Sequence, residues 1–202
     1  SVFMAMYCPK KIYKPLKAAT ELLAGIPSVV YGFFGLVVIV PMIRDFGKWM
    51  KMMGLVEKSG DGKGVLTTSI ILGMMILPTI IGTTESAMRA VPEQYYEGAL
   101  ALGATHERSI FTVIIPAAKS GVIAGIVLGI GRAIGETMAV IMIVGNQPRL
   151  VSNMLLGMRT LTGNIVIEMH REALIATGVV LFVFILIINF SVALLKRRGE
   201  HE

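Results

Sequence analysis

Two charged residues interrupt a long apolar stretch of the sequence. Arg132 and Glu136 are the ionisable residues between Gly121 and Gly145. A guanidinium group presents a planar set of N–H donors that matches the oxygens of an oxyanion. A neighbouring carboxylate can accept a hydrogen bond from an anion that still carries a proton. The pair could therefore recognise a protonated oxyanion, and the Thr137 hydroxyl could add a donor, although a helical threonine needs no such role.

The depth of these charges makes them costly. If 121–145 is one helix, Arg132 lies about 16 Å along it from Gly121, near the middle of a hydrocarbon layer about 30 Å thick. A charge at that depth costs about 3 kcal/mol. Static alternatives stay open, because Arg132 and Glu136 could neutralise each other as an i,i+4 pair in the less favourable order, or bind a neighbouring helix. A buried pair is weak evidence for stability, since apolar residues often do as well.

Small residues accompany the charged pair. Five glycines recur at four-residue intervals in two series, Gly121, Gly125 and Gly129, and then Gly131 and Gly135. This spacing lets helix backbones approach closely within lipid. Because residues three or four apart share one side of a helix, the last two glycines of the first series are predicted to lie on one stripe with Arg132 and Glu136. We expect the glycines to serve helix packing and the charges to point into a bundle or towards a partner helix.

The composition indicates an integral membrane protein. Of 202 residues, 54% are hydrophobic and 16% are charged, whereas soluble domains carry about 25% charged residues. Several apolar runs approach or exceed the roughly 20 residues that cross a bilayer as a helix, and no barrel-type alternation occurs. The sequence therefore predicts an all-α, polytopic transmembrane helical bundle, organised as a single domain over residues 1–202.

The charge and the cysteine content exclude other classes. The formal net charge is +6, but the basic residues cluster at the ends of apolar runs, where they face lipid headgroups. They do not form the basic footprint of a nucleic-acid-binding protein. A single cysteine, Cys8, excludes an intrachain disulfide, and the three histidines lack metal-ligand spacing. We expect no metal and no cofactor.

Four membrane spans are predicted. They cover about Ala18–Ile43, Thr67–Thr84, Ser120–Gly145 and Ala173–Leu195. Pro27 is expected to interrupt the first span with a kink, Pro78 to kink the second, and Pro41 to end the first.

Lysine and arginine residues near the span ends suggest the orientation. Four lysines lie in 8–17 and three basic residues lie near the C-terminus. If both regions are cytoplasmic together with 85–119, ten basic residues lie inside and eight outside. That bias is small, so it supports this orientation only weakly.

The connection between the second and third spans has a helix–turn–helix pattern. Pro92 and the acidic residues after it favour the start of a helix, and Gly103 favours its end. A further amphipathic segment, THERSIFTVIIP, returns to the membrane. Such a hairpin could insert into a groove on another protein or lie passively in the membrane interface.

The same connection carries a motif of fixed spacing. The inner-membrane permeases of ATP-binding-cassette (ABC) importers share a loop motif of the form E-A-A, three residues, Gly, nine residues and I-x-L-P. This sequence resembles it at the same spacing, with Glu97, Gly98 and Ala99, then Gly103, then Val113, Ile114, Ile115 and Pro116. Gly98, Val113 and Ile115 are conservative departures. The resemblance implies that 92–116 is a cytoplasmic coupling loop that docks into a cleft on an ATPase subunit, which agrees with the orientation above.

Individual residues of the motif have expected roles. Glu97 is expected to be a docking or capping carboxylate. Gly103 should give the tight turn, and Pro116 should end the element before the next span.

Two further stretches narrow the resemblance. ELLAGIPSVVYGFFGL and GRAIGETMAVIMIVGN are similar to the phosphate-specific permeases, and GRAIGETMAVIMIVGN resembles the PstC-type subunit more than its PstA-type partner. The resemblance covers Cys8 to Arg198 and implies the helical bundle of the type I importer (MetI-like) permeases. It matches the C-terminal part of a six-span subunit, so the chain is expected to be N-terminally truncated.

The resemblance also implies a function and partners. We expect a permease subunit that moves inorganic phosphate across the bacterial inner membrane by alternating access. The expected partners are a second, PstA-like permease subunit, a cytoplasmic ATP-binding subunit, a periplasmic or surface phosphate-binding protein, and membrane lipids. The chain should hydrolyse nothing itself, since its Gly62-Lys63-Gly64 segment lacks the pattern of a phosphate-binding loop. Alternatives are a permease for sulfate or molybdate, and an ion-coupled secondary transporter with Arg132 and Glu136 as a proton relay.

Overall fold

The described part of the chain is mainly helical. The structure is a computed structural model that describes residues 1–150, 153–168 and 173–199. A short π-helical turn, Phe3–Tyr7, comes first. The helices that follow it in these residues are α1 (Lys10–Gly25), α2 (Ser28–Met52), α3 (Val65–Arg89), α4 (Glu93–Ala101), α5 (His106–Ala117), α6 (Lys119–Gly135), α7 (Met138–Ile143), α8 (Leu161–Ile167) and α9 (Ala173–Gly199). The predicted all-α class is confirmed.

Two helices in the described part of the chain are long and apolar enough to cross a membrane by themselves. Helices α2 and α3 each have 25 residues, with mean hydropathies of 1.8 and 2.0. Helices α5 and α6 meet the same criteria only when they are taken together as one span with a 68° bend. Helix α9 contains a shorter apolar segment, Leu174–Phe190, where the sequence predicts the fourth span. Residues 200–202, at the C-terminus that was predicted to be cytoplasmic, lie outside the described residues.

The first predicted span differs from the observed helix. Pro27 has an extended backbone (φ −59°, ψ 140°) and lies between the end of α1 and the start of α2. It therefore interrupts the first predicted span, as expected, and does so by a break between two helices. Helix α2 then continues through Pro41 to Met52, so the predicted end at Pro41 is wrong. A π-helical turn, Gly35–Ile39, lies just before Pro41. Its wider hydrogen-bonded ring accommodates a residue that has no amide N–H.

One compact unit contains residues 26–75 and 133–187. Its buried core is formed by five side chains, Tyr31, Val40, Ile71, Met75 and Ile143. Gly32 allows α2 to approach α7, because a Cβ atom there would lie 3.0 Å from the Ala139 Cα atom. Burial of these side chains holds α2, α3 and α7 together.

The other compact unit contains residues 1–25, 76–132 and 188–202. Met88, Ile114 and Ala118 are buried in its core, with Met6 and Tyr96 packed against them. This core joins the end of α3 to α4, to α5 and to the N-terminal residues. The unit therefore holds the segment between the second and third predicted spans in a defined position.

Candidate transport site and coupling loop

Arg132 lies on α6 and faces α3. Its Nη1 atom lies 3.4 Å from the Thr79 hydroxyl oxygen, which accepts the hydrogen bond. Both side chains are partly buried. Sequence reasoning did not identify Thr79, although it directly follows Pro78 inside α3. The contact provides a cationic group and a hydroxyl group at one position between two helices.

The first glycine series lets α6 lie against α3. A Cβ atom at Gly125 would lie 3.1 Å from the Thr84 hydroxyl oxygen, and one at Gly129 would lie 2.7 Å from Ile80 Cγ1. Gly121 approaches Ala87 in the same way. These glycines therefore face the partner helix that Arg132 also contacts, as the four-residue spacing suggests.

The other glycine series has different surroundings. A Cβ atom at Gly131 or Gly135 would meet no described atom within 4 Å. In the described part of the chain, these two glycines pack against no other helix.

Glu136 and Thr137 lie beyond the end of α6. Helix α6 ends at Gly135, and α7 begins at Met138. The predicted single helix through Gly145 is therefore wrong, and Glu136 is not on one continuous stripe with Arg132. The Glu136 carboxylate accepts a hydrogen bond of 3.0 Å from the Ala139 N–H group. That bond satisfies a free N–H in the first turn of α7, while Gly135 weakens the end of α6.

The Thr137 hydroxyl has a local contact. It lies 3.4 Å from the Gly135 carbonyl oxygen, which accepts its hydrogen bond. This bond stays within the connection between α6 and α7.

The predicted coupling loop forms a helical hairpin. Glu97 is exposed in the middle of α4, so it does not cap that helix. Gly98 has no described atom within 4 Å of a Cβ position, so the Ala of the loop motif would fit there equally well. Gly103 adopts φ +84°, and the N–H group of Ala104 donates to the Ala99 carbonyl oxygen at 3.1 Å. This bond closes the turn at the end of α4.

The other half of the hairpin is fixed by side chains. The Thr105 hydroxyl accepts a hydrogen bond from the Arg108 N–H group at the start of α5. The Tyr96 hydroxyl lies 2.6 Å from His106 Nδ1 and so joins α4 to α5. Residues Ile115 and Pro116 lie in the last turn of α5, which ends at Ala117 before the 68° bend. The element thus ends one residue after the predicted proline.

A buried carboxylate next to this hairpin was not recognised from the sequence. Glu85 on α3 is 1% exposed. Its Oε1 atom accepts hydrogen bonds from the Tyr13 hydroxyl at 2.6 Å and from Arg89 Nε at 3.0 Å, and its Oε2 atom accepts one from Lys17 Nζ at 3.1 Å. In the sequence, this contact is indicated by two pairs of residues at i,i+4 spacing, Tyr13 with Lys17 and Glu85 with Arg89.

The same cluster reaches the N-terminal residues. Arg89 Nη2 donates to the Met4 carbonyl oxygen at 3.0 Å, and its guanidinium lies 4.6 Å from the centre of the Tyr13 ring. Hydrogen bonding to the Glu85 carboxylate raises the pKa of Tyr13 and of Lys17, which both lie outside the membrane spans. At neutral pH both groups therefore stay protonated and remain donors.

A family assignment follows from the sequence profile. The profile described as the inner membrane component of binding-protein-dependent transport systems matches residues 1–200. The chain belongs to this family. This match confirms the predicted resemblance to the inner-membrane permeases of ABC importers.

Several curated relatives of the chain are named for phosphate transport. The chain is 33% identical to the phosphate transport system permease protein PstC of Mesorhizobium japonicum over 93% of its own length and 62% of that protein. It is 39% identical to the probable ABC transporter permease protein YqgH of Bacillus subtilis, over 94% and 62%. It is 32% identical to the probable phosphate transport system permease protein PstC of Methanocaldococcus jannaschii, over 100% and 68%. The chain thus spans less than two thirds of the first two relatives.

The fold has a counterpart among solved structures. Two crystal forms of the MetNI methionine ABC transporter, described as inward-facing, match with TM-scores of 0.66 and 0.69. Each alignment covers 98% of this chain and 83% of that chain, at 18% and 19% identity. This similarity confirms the predicted MetI-like helical fold of the chain.

Proposed function

We propose that this chain is part of a permease subunit that moves inorganic phosphate across the bacterial inner membrane, driven by ATP. The observation that carries the proposal is the similarity of 93% or more of the chain to permeases named for phosphate transport. The position of Arg132 gives that similarity a chemical basis, because a guanidinium inside an apolar helix suits an oxyanion better than a neutral substrate.

Arg132 and Thr79 would bind the anion. Arg132 offers several N–H donors, of which one points to the Thr79 hydroxyl. When phosphate arrives, its oxygens would replace that hydroxyl as the acceptor, and the hydroxyl would be free to donate to the phosphate. The 3.4 Å contact is long for a hydrogen bond, so little is lost when the anion displaces it.

Glu136 would distinguish phosphate from sulfate. Phosphate near neutral pH carries a proton that it can donate, whereas sulfate carries none. The Glu136 carboxylate has acceptor capacity beyond the one bond that it makes to the Ala139 N–H group. It would accept the phosphate O–H while it also caps α7, and Thr137 would add a hydroxyl donor.

ATP would be hydrolysed on a separate, cytoplasmic subunit. The exposed residues Glu97 and Leu100 of α4, together with Leu102 just beyond its end, would dock on that subunit. Closure of the ATP-binding subunits would move 92–116 and drive alternating access. A PstA-like second permease subunit and a phosphate-binding protein outside the membrane would complete the importer, with 92–116 and the C-terminus in the cytoplasm.

The proposal is tested by phosphate uptake into proteoliposomes that contain the full-length permease and its co-purified partners. Arg132→Ala and Glu136→Gln should each abolish uptake while the complex still assembles. Because a glutamine oxygen still accepts the Ala139 N–H bond, the Glu136→Gln variant keeps the cap of α7 and removes the charge. Arg44→Ala and Glu57→Gln, which change exposed groups, serve as matched controls and should transport normally.

Competition distinguishes the substrates. Excess sulfate or molybdate should leave labelled phosphate uptake unchanged, and ionophores should not stop it while ATP is present. Normal uptake by either site variant would refute the assigned residues. Inhibition of phosphate uptake by sulfate would instead favour an importer for another oxyanion. Loss of phosphate uptake when ionophores are added would favour a secondary transporter.

A further inference from the structure

Glu85 is buried where α1 meets the end of α3. It is 1% exposed, although it lies only one helical turn before Arg89, the last residue of α3. Donors from two helices converge on its two oxygens, Tyr13 and Lys17 from α1 and Arg89 from α3 itself. Because hydrogen bonds are directional, they fix the register between two helices more strictly than apolar contacts do.

Contacts lead from this cluster to the coupling hairpin. Arg89 also donates a hydrogen bond to the Met4 carbonyl oxygen. In the same N-terminal turn, the Tyr7 ring meets the His106 ring edge-on at 5.1 Å between centroids, and His106 is hydrogen-bonded to Tyr96 of α4. The turn Phe3–Tyr7 therefore touches both the Glu85 cluster and the hairpin. A displacement of α4 and α5 would act on α1 along these contacts.

Stability alone explains the cluster poorly. Lys17 and Arg89 keep 29% and 47% of their side chains exposed, so only the carboxylate has been taken out of solvent. Apolar replacements of buried ion pairs often leave a protein equally stable, whereas specifying one arrangement is a role that such pairs do fill. The geometry thus favours a role for Glu85 in holding one arrangement of α1 against α3.

We propose that Glu85 is a positioning residue of the transport cycle, which fastens α1 to the end of α3 so that α1 moves together with the hairpin 92–116. The inference rests on the proposed function, since it requires the hairpin to move with an ATP-binding subunit. Glu85 touches no substrate in this role. Its loss should therefore uncouple the two elements without changing the anion site.

The movement is measured with spin labels in the full-length complex. Labels at Lys11 on α1 and Glu107 on α5, with native cysteines replaced, report their separation by pulsed electron resonance. In the otherwise native complex the distance distribution should be narrow and unchanged between the nucleotide-free state and the state trapped with ATP and vanadate. In Glu85→Gln it should broaden and differ between the two states.

Transport provides the other readout. In Glu85→Gln the amount of phosphate moved per ATP hydrolysed should fall about tenfold, within the usual range of coupling between sites, while ATP hydrolysis persists. Glu21→Gln, which changes an exposed glutamate on α1, is the matched control and should keep the native ratio. If Glu85→Gln does not assemble, Lys17→Gln removes one donor from a partly exposed position and should broaden the distances in the same way.

Two results would overturn the inference. One is a narrow, unchanged label distance in Glu85→Gln, or in Lys17→Gln where the first variant does not assemble. The other is a native phosphate-to-ATP ratio in assembled Glu85→Gln complex that is merely present in smaller amounts, because that result indicates a static role. If the unmodified complex moves no phosphate, the proposed function fails, but the label distances still test Glu85.

Discussion

At the scale of single residues, the role proposed for the Thr79 hydroxyl can be tested against that of Thr83, a second threonine on α3. Thr79 accepts from the guanidinium, whereas Thr83, one turn further on, donates to the Thr79 carbonyl oxygen at 2.9 Å. Valine has nearly the same shape as threonine but cannot donate. We expect Thr79→Val to raise KM for phosphate uptake about tenfold, because a hydrogen bond to a charged group contributes about 1.5–3 kcal/mol.

Thr83→Val is the control for this prediction. The hydrogen bond that its hydroxyl makes lies within its own helix turn, so KM should stay within about twofold of the native value. Equal effects of both variants on KM would mean that α3 itself had been disturbed, and an unchanged KM in Thr79→Val would remove Thr79 from the site. Both KM values are determined from initial uptake rates at several phosphate concentrations.

Residues differ in how far the sequence reveals their roles. Arg132 can be recognised because a charge in an apolar run is conspicuous whatever surrounds it. The burial of Glu85 depends on Tyr13 and Lys17, which are 72 and 68 positions away in the chain. The sequence shows both i,i+4 pairs but not that they meet. The cap made by Glu136 was missed because an apolar run hides the helix break at Gly135.

At the scale of elements, every π-helical turn in the described part of the chain lies just before a proline. Each π-helical turn ends two residues before a proline: Phe3–Tyr7 before Pro9, Gly35–Ile39 before Pro41, and Ile110–Ile114 before Pro116. In an α-helix a proline ring clashes with the carbonyl group four residues before it. In each of these three cases that carbonyl belongs to the central residue of the wider π-helical turn. Helix ends predicted at prolines are therefore wrong at Pro41 and one residue early at Pro116.

The two glycines of the helical hairpin 92–116 give opposite predictions. Gly103 has φ +84°, and a residue with a side chain costs about 1–2 kcal/mol in that conformation. Gly98 lies inside α4 with open space around it, where alanine should gain up to about 1 kcal/mol. We expect Gly103→Ala to lower the melting temperature of the purified permease and the amount of ATP-binding subunit that co-purifies with it.

Gly98→Ala is the paired control for the hairpin. It adds the same methyl group inside the helix instead of at the turn, so it should raise the melting temperature slightly and leave co-purification unchanged. If Gly103→Ala co-purified as much ATP-binding subunit as the native permease, the turn would not matter for docking. If Gly98→Ala lost the subunit, the added methyl group would lie within the docking surface of α4, and this variant could not isolate the effect of the turn.

At the scale of the whole molecule, the sequence supports the family better than the details of the fold. The loop motif has fixed spacing, so it survives substitutions such as Gly98 and Ile115, and the profile match over residues 1–200 agrees with it. The ends of the membrane spans depend on local helix winding and on contacts between distant segments. The run 121–145 is predominantly apolar, so its sequence does not reveal the helix break at Gly135. Hydropathy measures only how apolar a run is, not whether its backbone stays helical.

The orientation in the membrane is the prediction that joins these parts. If α3 crosses the bilayer once, the connection before it and the hairpin after it must lie on opposite sides. Leu55 and Leu102 are 65% and 91% exposed, so a cysteine at either position should react with a membrane-impermeant maleimide. With Cys8 replaced by serine, Leu102→Cys should react only in inside-out vesicles, and Leu55→Cys only in right-side-out vesicles.

The native cysteine gives an independent control for that orientation. Cys8 lies in the segment 8–17, whose lysines favour the cytoplasmic side, so in the native protein it should react from the same side as Leu102→Cys. Reaction of Leu102→Cys from outside would place the hairpin where no ATP is available, and docking on an ATP-binding subunit would then be impossible. Reaction of Cys8 and Leu102→Cys from opposite sides would contradict the contact between the N-terminal turn and the hairpin, on which the role of Glu85 depends.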